Sequence, residues 1–275
     1  MIEKEQIAAM NIHYLYYPMT YFLDTQEKLG VKTIELWGGC PHFYLDSITY
    51  SDCKKLRHEV ENRGMSIKVI TPENCTYQYQ FAAKEQELIE KSYQYFSKAI
   101  EAASELDVKI MAINSGWGYK NEDREEAWKR SREMLTRLAE KAKQYDIKLA
   151  MESLRPQESQ LVTTLKDAKK MFDEINHPNL KLMIDTTAMG VAGETIDDWF
   201  KVFGDDIIHM HFIDGNPYGH LVWGDGNQPL KEWIETIKKW EYKGYLGQEI
   251  TDFNYFENPA IHDKRNMQAY SQYLE

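Results

Sequence analysis

Short apolar runs alternate with longer amphipathic segments along the whole chain. Runs rich in Ile, Val and Met occupy 7–13 (IAAMNIH), 33–38 (TIELWG), 66–71 (SIKVIT), 109–115 (KIMAINS), 147–153 (IKLAMES), 180–186 (LKLMIDT), 207–214 (IIHMHFID) and 244–251 (GYLGQEIT). Each has the length and composition of a strand buried on both faces. Between them, segments such as 85–107 (EQELIEKSYQYFSKAIEAASELD) and 125–146 (EEAWKRSREMLTRLAEKAKQYD) carry apolar residues at intervals of three and four, the period of a helix with one buried face. Eight strands alternating with eight helices predict an α/β fold, a single (β/α)8 TIM barrel spanning residues 1–275 as one domain. No Pro/Gly/Ser linker interrupts the pattern. An open, doubly wound sheet is the competing architecture, and it calls for a glycine-rich turn after an early strand. GxGxxG is absent, and the best glycine cluster, Gly224-Asp225-Gly226, comes late.

Composition narrows the setting. At 275 residues with 43% hydrophobic positions, the chain is large enough to bury a barrel core. No apolar stretch approaches the roughly 18–20 residues needed to cross a membrane, and MIEKEQIAAM lacks the basic start and apolar core of a secretory signal. The three cysteines, Cys40, Cys53 and Cys75, show no CxxC spacing and read as free thiols in a reducing compartment. The expectation is a cytoplasmic protein with no membrane partner. A formal charge of −11 disfavours nucleic acid and suits a neutral or cationic small molecule.

The chemistry gathers at the ends of the last four runs. Glu152, Asp185, His211 and Glu249 each stand where a barrel strand gives way to its loop, the end at which barrel enzymes place their reacting groups. Converging there, three carboxylates and one imidazole would suit a single divalent cation: Mn²⁺ first, with Mg²⁺ or Co²⁺ as alternatives. Strand alternation puts His209 and His211 on one face, so one can ligate while the other packs below. Two glutamates flanking a bound sugar also form an acid/base pair. One removes a proton from a carbon next to a carbonyl and the other returns one to the opposite face, while the cation neutralises the enediolate charge. A lone carboxylate at a strand end is more often a cap or an ion-pair partner. Three carboxylates and a histidine on four consecutive strands are not explained that way.

Several stretches together carry a family resemblance: IELWGGCPHFY (34–44), ITPENCTYQY (70–79), MESLRPQES (151–159), MIDTT (183–187), HMHFIDG (209–215) and WGDGNQPL (223–230). Their order and spacing resemble the sugar isomerase/epimerase superfamily of xylose-isomerase-like barrels, which also contains endonuclease IV. Within it the chain is most similar to the ketose 3-epimerases, especially those acting on fructoselysine. The resemblance implies a ketose or ketosamine epimerase inverting C3 through a cis-enediolate. Glu152 and Glu249 would then be the metal-binding acid/base pair, Asp185 and His211 would complete the shell, and Glu158 would bond the substrate near its carbonyl end. It also implies a homo-oligomer, a dimer or tetramer.

Two positions depart from that pattern. Free-ketohexose epimerases carry a His three residues after the metal-binding Asp and an Arg six after the metal-binding His; here these are Ala188 and Pro217. Both normally touch the sugar, so the departure shifts the expected substrate towards a fructosamine.

The remaining pocket candidates are His13, Glu35, Trp37, His42, Glu73, Asn114, Ser115 and Trp117. Each has a plainer reading as a loop polar group or ordinary packing at the barrel top. Tyr14, Tyr16, Tyr17 and Tyr21 would cap the mouth or meet another subunit. His58, His177, His220 and His262 read as surface or loop residues, His220 within reach of the site.

Three other readings stay in view. One is another isomerase of the superfamily: a pentulose-phosphate 3-epimerase, a hydroxypyruvate isomerase or an inosose dehydratase. A phosphorylated substrate is disfavoured because 202–230 contains no Lys or Arg, although the Gly224–Gly226 amides leave it open. A DNA-repair endonuclease would need three zinc ions and more histidines than the eight present. A non-catalytic sugar-binding barrel would not need two flanking carboxylates.

Overall fold

The computed structural model describes residues 2–74 and 78–274, so Cys75 lies outside the described residues; Cys40 and Cys53 are free thiols. The strands are β1 (Ile7–Met10), β2 (Thr33–Gly38), β3 (Ser66–Pro72), β4 (Ile110–Ile113), β5 (Lys148–Met151), β6 (Leu180–Asp185) and β7 (Ile207–His211). The hairpin β8 (Asp214–Asn216) and β9 (Tyr218–Leu221) follows, and then β10 (Tyr245–Gln248). All but the hairpin strands pair in parallel and close into an eight-stranded barrel, β10 sitting between β7 and β1. This is the (β/α)8 barrel that the alternation predicts.

The helices are α1 (Met19–Leu29), α2 (Tyr50–Glu61), α3 (Gln86–Glu105), α4 (Arg124–Gln144), α5 (Leu165–Ile175), α6 (Thr186–Val191), α7 (Ile196–Phe203), α8 (Leu230–Lys239) and α9 (Pro259–Tyr270). Their starts are written locally. Thr49 and Asp52 form a capping box on α2, Thr195 and Asp198 another on α7, and Asp123 and Thr164 cap α4 and α5. Gly30 and Asn176, both left-handed, stop α1 and α5. The helices bury one stripe each, α4 through Trp128, Leu135 and Leu138 among others. Inside the barrel, Val69, Ala112, Ala150 and Met183 pack as a separate layer from four adjacent strands. That layer is filled core, so the barrel is not an open channel.

The simple alternation misses two features, both in the part of the chain that builds the site. Two helices, α6 and α7, follow β6, and the stretch read as a loop after His211 folds into the β8–β9 hairpin. Asp214 explains the hairpin's anchorage: its carboxylate accepts from the amides of Gly224 and Gly226, both at 2.9 Å, and of Gln228 at 3.0 Å. A Cβ on Gly226 would overlap Asp214. Among the described residues no helix is long and apolar enough to cross a membrane.

Candidate metal centre

Barrel closure brings the four strand-end residues together. Asp185 and His211 are register partners across β6 and β7, and His211 is in turn opposite Gly247 of β10. Glu152 follows β5 directly, its amide bonded to Ile113 O at 2.8 Å. Glu249 follows β10. Glu152, Asp185, His211 and Glu249 each offer one ligand atom, all within 4.8 Å of one another. His211 Nδ1 lies 2.8 Å from Glu152 Oε1 and 3.0 Å from Glu249 Oε2. Asp185 caps α6: its Oδ1 accepts from the amides of Thr187 at 2.6 Å and Ala188 at 3.3 Å, which turns Oδ2 towards the site.

The donor set fits a divalent cation. Both His211 Nδ1 and Glu152 Oε1 are buried without a hydrogen-bond partner, although they face each other at 2.8 Å. Polar atoms left so in a protein interior are rare and costly, and an acceptor pair aimed at one point is what a cation fills. Electrostatics agree. Burial, reinforced by the charges of Glu249 and Asp185 against the pull of His211, pushes the Glu152 carboxyl up to about 8. The Glu152 carboxyl therefore resists ionising beside its acidic neighbours unless a further positive charge joins them.

His220 is the correction here. The sequence reads it as a surface or loop histidine within reach of the site; the hairpin carries it inward until it is buried. Its Nε2 lies 3.0 Å from Asp185 Oδ2 and 3.2 Å from Glu249 Oε2. Burial opposes its charge, yet these two carboxylates prevail and push its pKa up to about 9. The turn-rich stretch DGNPYG (214–219) was the available signal for a hairpin that would return His220 to the mouth.

Beside the quartet opens a cavity of about 310 Å³. Its far wall includes Trp37 and Thr71 of β2 and β3 together with Glu73, and its rim carries Leu15, Phe253 and Phe256. Trp37 Nε1 donates to Glu73 Oε2 at 3.0 Å. Arg155, not singled out from sequence, lines the cavity beside Glu158 and donates to it through its amide and Nε, both at 2.9 Å, and through Nη2. It is the one guanidinium or ammonium group among the described lining residues, set against carboxylates at 73, 152, 158, 185 and 249.

The other sequence-derived positions fall elsewhere. His13 is buried outside the cavity lining, its Nε2 2.8 Å from Asp263 Oδ1, where it ties the first loop to α9. His42 spends both ring nitrogens on the frame: Nδ1 lies 2.9 Å from Asn11 Nδ2 and Nε2 2.7 Å from Tyr17 O. Trp117 packs edge-on against Tyr119 in a separate surface groove, which Glu158 also borders. Tyr14 is fully buried with its hydroxyl on Asp263 Oδ2 at 2.6 Å, while Tyr16 is 73% exposed. The Gly224–Gly226 amides left open for a phosphate are committed to Asp214.

Comparisons with known proteins bear on the family and the fold. A model of the xylose isomerase-like TIM barrel family matches residues 23–271. Fructoselysine 3-epimerase of Shigella flexneri is 26% identical over 94% of each chain. D-psicose 3-epimerase of Enterocloster bolteae is 24% identical over 92% of this chain and 81% of its own. Among solved structures, that of D-psicose 3-epimerase with D-tagatose from Clostridium cellulolyticum H10 superposes with a TM-score of 0.81 over 98% of each chain. At 17% identity that likeness carries the fold alone.

Proposed function

The chain belongs to the xylose isomerase-like TIM barrel family, and on that premise we propose that it is a ketose 3-epimerase whose substrate is a ketosamine of the fructoselysine kind. The carrying observation is the pair of glutamates, Glu152 and Glu249, brought within 3.0 Å of the same His211 nitrogen at the edge of one cavity.

Glu152, Asp185, His211 and Glu249 would hold one divalent cation, Mn²⁺ first, which when bound supplies positive charge beside the sugar's carbonyl and C3 oxygens. The chain's own residues do the rest. One glutamate takes the C3 proton, leaving the C–H electron pair in a C2–C3 double bond as an enediolate. The other delivers a proton to the opposite face of C3, so the centre inverts and no redox partner is needed. Asp185 is held by the α6 amides and stays a fixed anion rather than a base. Glu158, clamped by Arg155 in the cavity lining, would bond the substrate near its carbonyl end.

The ketosamine reading rests on what surrounds the quartet. Arg155 and Glu158 offset one another, and a divalent cation with the protonated His220 balances the three quartet carboxylates, so the cavity's excess negative charge is that of Glu73. Glu73 stands on the wall formed by β2 and β3. An ammonium-bearing tail suits that field better than a neutral sugar. Ala188 and Pro217 stand where the resemblance places the His and Arg of free-ketohexose enzymes, and the committed Gly224–Gly226 amides leave no nest for a phosphate there. A cytoplasmic homo-oligomer completes the proposal.

The test is a C3 proton-exchange screen by NMR in deuterated water with Mn²⁺, removed before reading. Free ketoses, fructosamines and ketose phosphates form the panel. Exchange is expected first at C3 of the fructosamine. Its absence with every ketose would leave a sugar-binding barrel instead. Glu73→Gln should raise KM for the cationic substrate on the order of tenfold, the scale of a hydrogen bond to a charged group, with kcat and the KM for neutral ketoses unchanged. An equal rise for both substrate classes would remove Glu73 from recognition of the charge.

A further inference from the structure

Beneath the quartet lies a carboxylate that the epimerase reading leaves without a role. Glu35 projects from the middle of β2 and is wholly closed off from solvent. Its Oε1 lies 2.9 Å from His211 Nε2 and accepts from Thr71 Oγ1 at 2.6 Å, and its Oε2 lies 2.9 Å from His209 Nε2. A buried carboxylate is costly unless donors surround it, and here three converge. From β2 the side chain passes over β1 and comes to lie against β10. A Cβ on Gly247 would overlap Glu35 Oε2 and come within 3.1 Å of the His209 ring. Position 247 therefore has room for the carboxylate because it has no side chain of its own.

We propose that Glu35 is the positioning residue of the cation site, holding His211 in the tautomer and orientation that turn the Nδ1 lone pair towards the cation, with Gly247 as the gap that admits it. The inference rests on the cation site of the reading above, and not on its substrate. An anion accepting the Nε2 proton also makes Nδ1 the better electron donor. The other oxygen is taken by His209, whose ring stands nearly perpendicular to that of His211, at 85° with centroids 5.5 Å apart. Glu35 is thus clamped between two rings that both present Nε2. A glutamine cannot serve both, because its amide nitrogen would set a donor against one of them. Where that ring is His211, the proton must move to Nδ1, the atom the cation needs.

The experiment compares the full chain with Glu35→Gln, Glu35→Ala and Gly247→Ala. Circular dichroism and melting in chelator report the fold, titration reports the Kd for Mn²⁺, and absorption reports the Co²⁺ ligand field. Nitrogen-15 NMR of the imidazoles in the stripped protein, at a pH high enough to leave the rings neutral, reports the tautomers. One cation per chain is expected for the native protein, with Kd weakened about 10–100-fold in the variants, an altered Co²⁺ spectrum, and mixed His211 tautomers. Thr71→Val removes one donor to Glu35 without touching either histidine. It serves as a second handle if the others do not fold, and a few-fold weaker Kd is expected. Folded variants with Kd within twofold of native and an unchanged Co²⁺ spectrum would overturn the proposal. So would two Co²⁺ per chain, which would seat an ion among Glu35, His209 and His211. None of these readouts needs a sugar: a chain that binds the cation as described but exchanges no ketose proton sinks the epimerase reading and leaves this one standing.

Discussion

Glu152→Gln and Glu249→Gln should each lower C3 epimerisation about 10³-fold or more, and they should differ in what remains. Glutamine keeps the shape and one ligand oxygen but cannot take a proton, and loss of a positioned acid/base alone removes about 10²–10⁴ in rate. Each also takes one negative charge from the cation site, which adds to the loss. If the two glutamates serve opposite faces of C3, removing one leaves the other able to exchange the proton of a single epimer. Deuterium wash-in should therefore be lost from one epimer in Glu152→Gln and from the other in Glu249→Gln. The measurement is NMR exchange run separately from each pure C3 epimer, with Mn²⁺ saturating. Near-normal turnover by Glu152→Gln, or the same residual epimer in both variants, would be fatal to the two-base mechanism.

Stripping the cation should produce an effect of similar size with a second, structural signature. A ligand present at 100 times its Kd stabilises the folded state by about 2.7 kcal/mol, which for a chain of this size corresponds to a fall in Tm on the order of 5–10 °C when it is removed. Chelation is therefore expected to abolish C3 exchange and lower Tm together, and Mn²⁺ to restore both. Asp185→Asn separates charge from architecture. An asparagine oxygen can still accept from the Thr187 amide now bonded at 2.6 Å, so the cap on α6 survives. The site, however, loses a full negative charge. The expected result is Mn²⁺ affinity weaker by roughly 100-fold, with activity recovering at high Mn²⁺ and kcat close to native. Full activity in metal-free protein, verified by elemental analysis, would contradict the assignment. A kcat that stays low at saturating Mn²⁺ would move Asp185 from holding the cation to the chemistry itself.

Much of the barrel was legible before any coordinates, because its signals are local. The run at 109–115 contains β4 at Ile110–Ile113, and the segments at 85–107 and 125–146 contain or nearly coincide with α3 at Gln86–Glu105 and α4 at Arg124–Gln144. Strand and helix periods are properties of neighbouring residues, so they can be read along the chain. Glu152, Asp185, His211 and Glu249 were legible for a related reason. A parallel barrel places every strand's C-terminal end on one face, so position relative to the strand is enough to collect them.

Side chains whose meaning depends on a distant partner were another matter. His13 and His42 sit near strand ends as a pocket residue would, yet each is absorbed by its own frame, at Asp263 and at Asn11 with Tyr17. His220 has no strand-end signature; only the packing of the hairpin brings it to Asp185 and Glu249. The glycines at 224 and 226 look the same in sequence whether their amides face a phosphate or, as here, the carboxylate of Asp214.

The order of apolar and polar residues was thus sufficient for the class of fold, the end of the barrel at which the cavity opens and the four side chains gathered there, since each follows from spacing along one strand or helix. Which nitrogen of His211 meets those donors, which carboxylate holds its ring and why position 247 bears no side chain were settled only when the barrel closed. Glu35 and His211 are 176 residues apart, and hydrogen-bond direction is a relation between groups that no stretch of chain contains by itself.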